Sequence, residues 1–93
     1  MVSMVREKVS ERLQELVECL TPVPDMAALM DIPESELRFL LDNPNGDIGR
    51  AFRRHLAEVS LKIRKRDIEL ADAGSPTAAE AVAGYLNKML SSL

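Results

Sequence analysis

Met26-Ala27-Ala28-Leu29-Met30-Asp31-Ile32-Pro33-Glu34-Ser35-Glu36-Leu37-Arg38-Phe39-Leu40 is the stretch on which the reading of this chain turns. A short apolar helix, a three-residue break and a second amphipathic helix are the sequence form of a helix-turn-helix, a unit that often docks on duplex DNA. Small Ala27 falls where the two helices would cross closely. Ile32 follows the turn, and Leu37 and Leu40 share a face of the second helix from which they are expected to pack on Ala28 and Leu29. Asp31 takes the turn position where glycine is frequent; aspartate tolerates left-handed backbone there at some cost. Charge argues the other way, because Glu34, Glu36 and Asp42 stand on or beside the reading helix against Arg38 alone.

The flanks extend this into an all-α chain. Val2, Val5, Val9, Leu13, Leu16, Val17 and Leu20 recur at three- and four-residue steps, which predicts a first helix over residues 2 to 20. Thr21-Pro22-Val23-Pro24 ends it, since proline lacks an N–H and pushes its predecessor out of helical geometry. The second helix follows from about Asp25 to Met30, and Pro33 fits the first position of the third. Asn43-Pro44-Asn45-Gly46 is a break built from turn residues, and Asp47 is a candidate N-cap for a long fourth helix reaching about Ala73. Gly74 supplies a stop, and Ser75-Pro76 a cap and first position for a fifth helix to about Ser91. So short a connection folds helices four and five into an antiparallel hairpin. Ala78, Ala79, Ala81, Ala83 and Gly84 would let the fifth helix approach closely, with Ala79, Val82, Leu86, Met89 and Leu93 as its apolar stripe. The expected architecture is one all-helical domain, residues 1–93. Its N-terminal helix and tri-helical helix-turn-helix portion occupy 1–44, and a long antiparallel helical hairpin, a candidate oligomerisation element, occupies 45–93.

Composition narrows function. The aromatics are Phe39, Phe52 and Tyr85, too few to stack single-stranded bases. Cys19 has no partner for an internal disulfide, which suits a reducing, cytoplasmic setting. It borders the first helix's apolar stripe and reads as a small buried hydrophobe rather than a nucleophile. No apolar run approaches the ~20 residues of a membrane span, and the closely spaced charges Arg6, Glu7, Lys8 and Glu11 are unlike a signal peptide. One His and one Cys, no glycine-rich phosphate loop and scattered carboxylates leave no enzymatic constellation, no metal site and no cofactor to expect. His55 reads as a surface residue.

Net charge is −3, yet Ile48 to Arg66 carries Arg50, Arg53, Arg54, Lys62, Arg64, Lys65 and Arg66 against Glu58 alone. A basic segment on an acidic body points to an anionic partner for one face. The arginines support two readings: a solvated face, or phosphate contacts by Arg50, Arg53 and Arg54 just after the helix-turn-helix. On the reading helix, Arg38 would pair with guanine and Ser35 would contact a phosphate. On the helical wheel Phe52, Leu56, Val59, Ile63 and Leu70 form the core sector of the fourth helix. Leu61 and Ile68 fall among the charges opposite, either as ordinary exposed aliphatics or as an oligomer interface.

Three features together carry a family resemblance: the helix-turn-helix from Met26 to Leu40, the charged helix from Ile48 to Ala71, and Ala73-Gly74-Ser75-Pro76-Thr77-Ala78-Ala79. From Asp25 to Leu90 the chain resembles bacteriophage small terminase subunits and related phage helix-turn-helix proteins. The resemblance implies a non-catalytic DNA-recognition component of a packaging motor, or a phage regulator, with Glu34 to Leu41 as the recognition segment. It also implies ring assembly through the hairpin at 47–91 and a large motor subunit as a protein partner. The alternative left open by the acidic reading helix is a protein-interaction or oligomerisation module that keeps the helix-turn-helix shape without binding DNA.

Overall fold

The computed structural model describes residues 2–93, with side chains from Met4 onward, so the place of Val2 in the first apolar stripe lies outside the described side chains. The chain is all-helical: α1 (Val2–Glu18), α2 (Val23–Met30), α3 (Glu34–Leu41), α4 (Asp47–Asp72) and α5 (Pro76–Ser91), with no strand among the described residues. It forms two compact units, Met1–Val59 and Ser60–Leu93, whose boundary falls inside α4.

In the first unit the three- and four-residue spacing of α1 buries Val9, Leu13, Leu16 and Val17 on one side. They meet Met26, Ala27 and Met30 of α2, Leu37 and Leu41 of α3, and Ile48 and Val59 of α4. Val9 and Leu37 are fully enclosed, and each such side chain contributes about 2 kcal/mol of apolar burial. Ala27, the small residue of α2, is buried. The expected partners Ala28 and Leu29 do not pack inward. Both are exposed, on roughly the opposite side of the helix from the buried set Met26, Ala27 and Met30.

Helix ends explain two further departures. α1 stops at Glu18, and Leu20 turns out of it with φ 57°, more than half exposed, so it leaves the apolar stripe. The closure is a pair of bonds: Thr21 N–H donates to Leu16 C=O at 3.0 Å and Leu20 N–H to Val17 C=O at 2.9 Å. Cys19, carried on the same end, is exposed rather than buried. α2 ends the same way at Asp31, also at φ 57°, with Ile32 N–H on Ala27 C=O and Asp31 N–H on Ala28 C=O. Left-handed aspartate at this turn is what the sequence led us to expect. Pro33 caps α3 from an extended conformation, one position earlier than expected.

α4 starts from Gly46, whose carbonyl accepts from Arg50 N–H at 3.0 Å. Asp47 is therefore inside the first turn instead of capping it. Its carboxylate accepts from Ile48 N–H at 2.9 Å and from the Arg6 guanidinium of α1. Gly49 is buried two residues further on, and a Cβ there would lie 1.9 Å from the Asn43 carbonyl oxygen.

The second unit holds the rest of α4 and α5. Gly74, at φ 100°, closes α4 through Ser75 N–H to Leu70 C=O and Gly74 N–H to Ala71 C=O, both 3.0 Å. The Ser75 hydroxyl then caps α5 by accepting from Ala78 N–H at 3.2 Å. The half-buried row on this part of α4 is Ser60, Arg64, Asp67 and Ala71, at helical i, i+4, i+7 and i+11 steps, and the Tyr85 hydroxyl of α5 donates to the Asp67 carboxylate at 2.6 Å. This corrects the core sector drawn on the wheel. Val59 is buried and Phe52 half-buried, but Leu56, Ile63 and Leu70 are exposed. The stripe expected on α5 is likewise open: Val82 is half-buried, Ala79, Leu86 and Met89 are exposed, and Leu93 lies beyond the helix. Gly84 faces open space, so no close helix approach uses it.

Candidate nucleic-acid interface

Arg50, Arg53 and Arg54 leave the first turns of α4 directly after the contact between Gly49 and Asn43. Gly49 has no side chain, so α4 can begin against the chain that has just left α3; this contact fixes where the three arginines emerge. All three are exposed. Among the described residues Arg50 and Arg53 make no ion pair, and Arg54 reaches Glu58 only at 3.9 Å with most of its side chain in solvent. Three exposed guanidinium groups on two helical turns, with Glu58 loosely beside Arg54 as their one paired carboxylate among the described residues, make a patch of positive potential that attracts polyanions. Half-buried His55, next to them, has a buried Nδ1 with no hydrogen-bond partner.

α3 offers different chemistry. Ser35 is exposed in its first turn, and Arg38 donates from Nε to Glu34 Oε2 at 2.8 Å, one helical turn back. That i, i+4 pair occupies the guanidinium expected to read bases. Phe39 lies on the side of α3 away from buried Leu37 and is 75 % exposed. With Val5, Pro33 and Leu40 it forms an apolar hollow of about 540 Å³ whose polar edges are Arg6, Ser35 and Glu36. Phe39 is not among the site residues expected from the sequence, although its offset from Leu37 and Leu41 places it on the outer face.

The two candidate sets thus separate. Arg50, Arg53 and Arg54 form one cationic cluster on α4, while Ser35 and Arg38 sit on α3 among carboxylates. Leu61 and Ile68 belong to the second unit. Both are exposed and line an apolar groove of about 640 Å³ together with Val82, Tyr85, Leu86 and Met89 of α5.

Among the described residues two titrating groups are shifted. The Arg6 guanidinium, followed by the Ile48 N–H, holds the Asp47 carboxyl below the ordinary aspartate range. The hydrogen bond to Asp67, then burial, then the Asp67 charge raise the Tyr85 hydroxyl. Among the described residues no group of three His, Cys, Asp or Glu side chains could hold a metal, and no helix is long and apolar enough to cross a membrane.

Comparison with family models, curated proteins and solved structures finds no match. The functional reading therefore rests on the residues themselves.

Proposed function

We propose that this chain is a non-catalytic duplex DNA-binding protein. In this reading α2 and α3 are a helix-turn-helix, α4 and α5 a helical hairpin, and Arg50, Arg53 and Arg54 hold backbone phosphates. The observation that carries it is the exposure of these three guanidinium groups at the start of α4, with Arg54 only loosely paired and the other two making no ion pair among the described residues. Contacts of this kind bind any sequence and release counterions, so affinity falls steeply as salt rises. A setting like that of a phage small terminase subunit, or of a phage regulator, fits the order of elements. In the terminase case a large motor subunit is the further partner.

The test is fluorescence anisotropy of a labelled random-sequence duplex, titrated with the protein at low and then near-physiological salt. Saturable binding at low salt that weakens steeply with added salt supports the reading; no binding at low salt overturns it.

A second reading is favoured by α3: a protein-interaction module that keeps the helix-turn-helix shape. Arg38 is engaged by Glu34, and the Phe39 ring stands 75 % exposed with Glu36 beside it. An exposed aromatic flanked by carboxylates suits a protein surface better than a groove between phosphates.

A further inference from the structure

Two apolar surfaces of this chain lie open, and their surrounding charges are opposite. One is the α3 surface, where Phe39, Leu40 and Pro33 are exposed or half-buried. Residues 31–42, which contain it, hold Asp31, Glu34, Glu36 and Asp42 against Arg38, a net charge of −3; of the two charged side chains that line the surface itself, Arg6 is neutralised by Asp47, and Glu36 makes no ion pair among the described residues. The other is the groove of the second unit between Leu61 and Ile68 on α4 and Leu86 and Met89 on α5. Its charged lining residues are Arg64, Lys65 and Lys88, with no carboxylate among them. The groove has room for an aromatic ring and a neighbouring leucine side chain at about 640 Å³.

We infer that the chain self-associates head to tail, the Phe39 face of one copy seating in the basic-rimmed groove between α4 and α5 of the next. The occupant follows from complementarity. The groove calls for an apolar knob beside a carboxylate, and Phe39, the most exposed large apolar side chain among the described residues of the helices, has Glu36 beside it. Desolvation of Phe39, Leu86 and Met89 supplies the attraction, while Glu36 against Arg64, Lys65 and Lys88 sets the orientation. The contact joins two different patches, so it is heterologous, and an open assembly keeps one unused Phe39 face at one end and one unused groove at the other unless it closes into a ring. Arg50, Arg53 and Arg54 take no part in it, so this inference stands or falls separately from DNA binding.

Light scattering after size-exclusion chromatography tests the inference through the mass of full-length protein up to millimolar concentration. The wild-type chain is expected to exceed its 10.3 kDa monomer mass increasingly with concentration. Phe39→Glu, which spoils the knob, and Leu86→Glu, which spoils the groove, are each expected to run as monomers. Their equimolar mixture retains one intact knob and one intact groove and is expected to stop at a dimer. Circular dichroism checks that both variants keep wild-type helicity; Phe39→Ala and Leu86→Ala, which add no charge, replace them if either does not. A wild-type monomer at all concentrations, an assembly that survives loss of Phe39, or a mixture that stays monomeric each overturns the proposal. The second of these would instead place the interface on another surface, such as a like-with-like pairing of the exposed Ile63 and Leu70 flank.

Discussion

A Cβ on Gly49 would stand 1.9 Å from the carbonyl oxygen of Asn43 and 2.8 Å from its carbonyl carbon. Both obstacles are backbone, so no side-chain rotation relieves them. Gly49→Ala must therefore push α4 away from the end of α3, although alanine is the better helix former. The expected loss is about 3 kcal/mol, a large share of a small domain's stability, read as a lower urea midpoint. Gly84→Ala is the control: it sits in open space in mid-helix and should gain about 0.5–1 kcal/mol.

Three helices close with the same pair of backbone bonds, yet the left-handed residue is Leu20 in α1, Asp31 in α2 and Gly74 in α4. Glycine alone takes that geometry without a Cβ penalty. Leu20→Gly is expected to raise stability by about 1 kcal/mol, since Leu20 is largely exposed and little packing is lost. Asp31→Gly should gain less, because aspartate is among the residues that tolerate the conformation. Gly74→Ala should lose about 1 kcal/mol for the same reason reversed. Thermal unfolding of the three variants beside wild type gives the signs directly.

Asp47 and Arg6 predict a specific acid response. The Asp47 carboxyl is held below the ordinary value of 3.8, so its ion pair stabilises the folded chain above that pH and ceases to do so as pH falls through the depressed value. Asp47→Asn should be less stable than wild type at neutral pH, and the two should converge once the pH falls below the depressed value. The gap at neutral pH should shrink with added salt, because both side chains are solvent-accessible. Urea midpoints across the acid range test it; curves that stay parallel would deny the pair any role in stability.

What was legible in the sequence was whatever repeats locally. Prolines and glycines marked the breaks, Ser75 and Gly74 gave the α4–α5 junction, and the three- and four-residue steps of α1 found Val9, Leu13, Leu16 and Val17. Which face of a helix is covered depends on its neighbours, and there the periodicity misled. Leu56, Ile63 and Leu70 line up as a core sector, but α5 packs on the row of Ser60, Arg64, Asp67 and Ala71, so those aliphatics stay open. Short α2 has too few turns for periodicity to tell Ala28 and Leu29 from Met26, Ala27 and Met30. For the candidate site, the arginine cluster was plain from spacing. The engagement of Arg38 by Glu34 needed side-chain geometry, though the i, i+4 spacing of opposite charges hinted at it.

That engagement sets the DNA-binding prediction apart from a simple recognition-helix picture. Each phosphate contact contributes roughly one unit to the slope of log affinity against log salt. Replacing Arg50, Arg53 and Arg54 together by alanine should weaken duplex binding for every sequence alike and flatten that slope by roughly three units. Arg38→Ala should change neither quantity appreciably, because its guanidinium is already paired at 2.8 Å with Glu34. Glu34→Gln should tighten binding, since it removes a negative charge and releases Arg38 toward solvent. If instead Arg38→Ala abolished binding while the triple substitution left it intact, α3 would be the DNA-contacting element and the phosphate role of α4 would be lost.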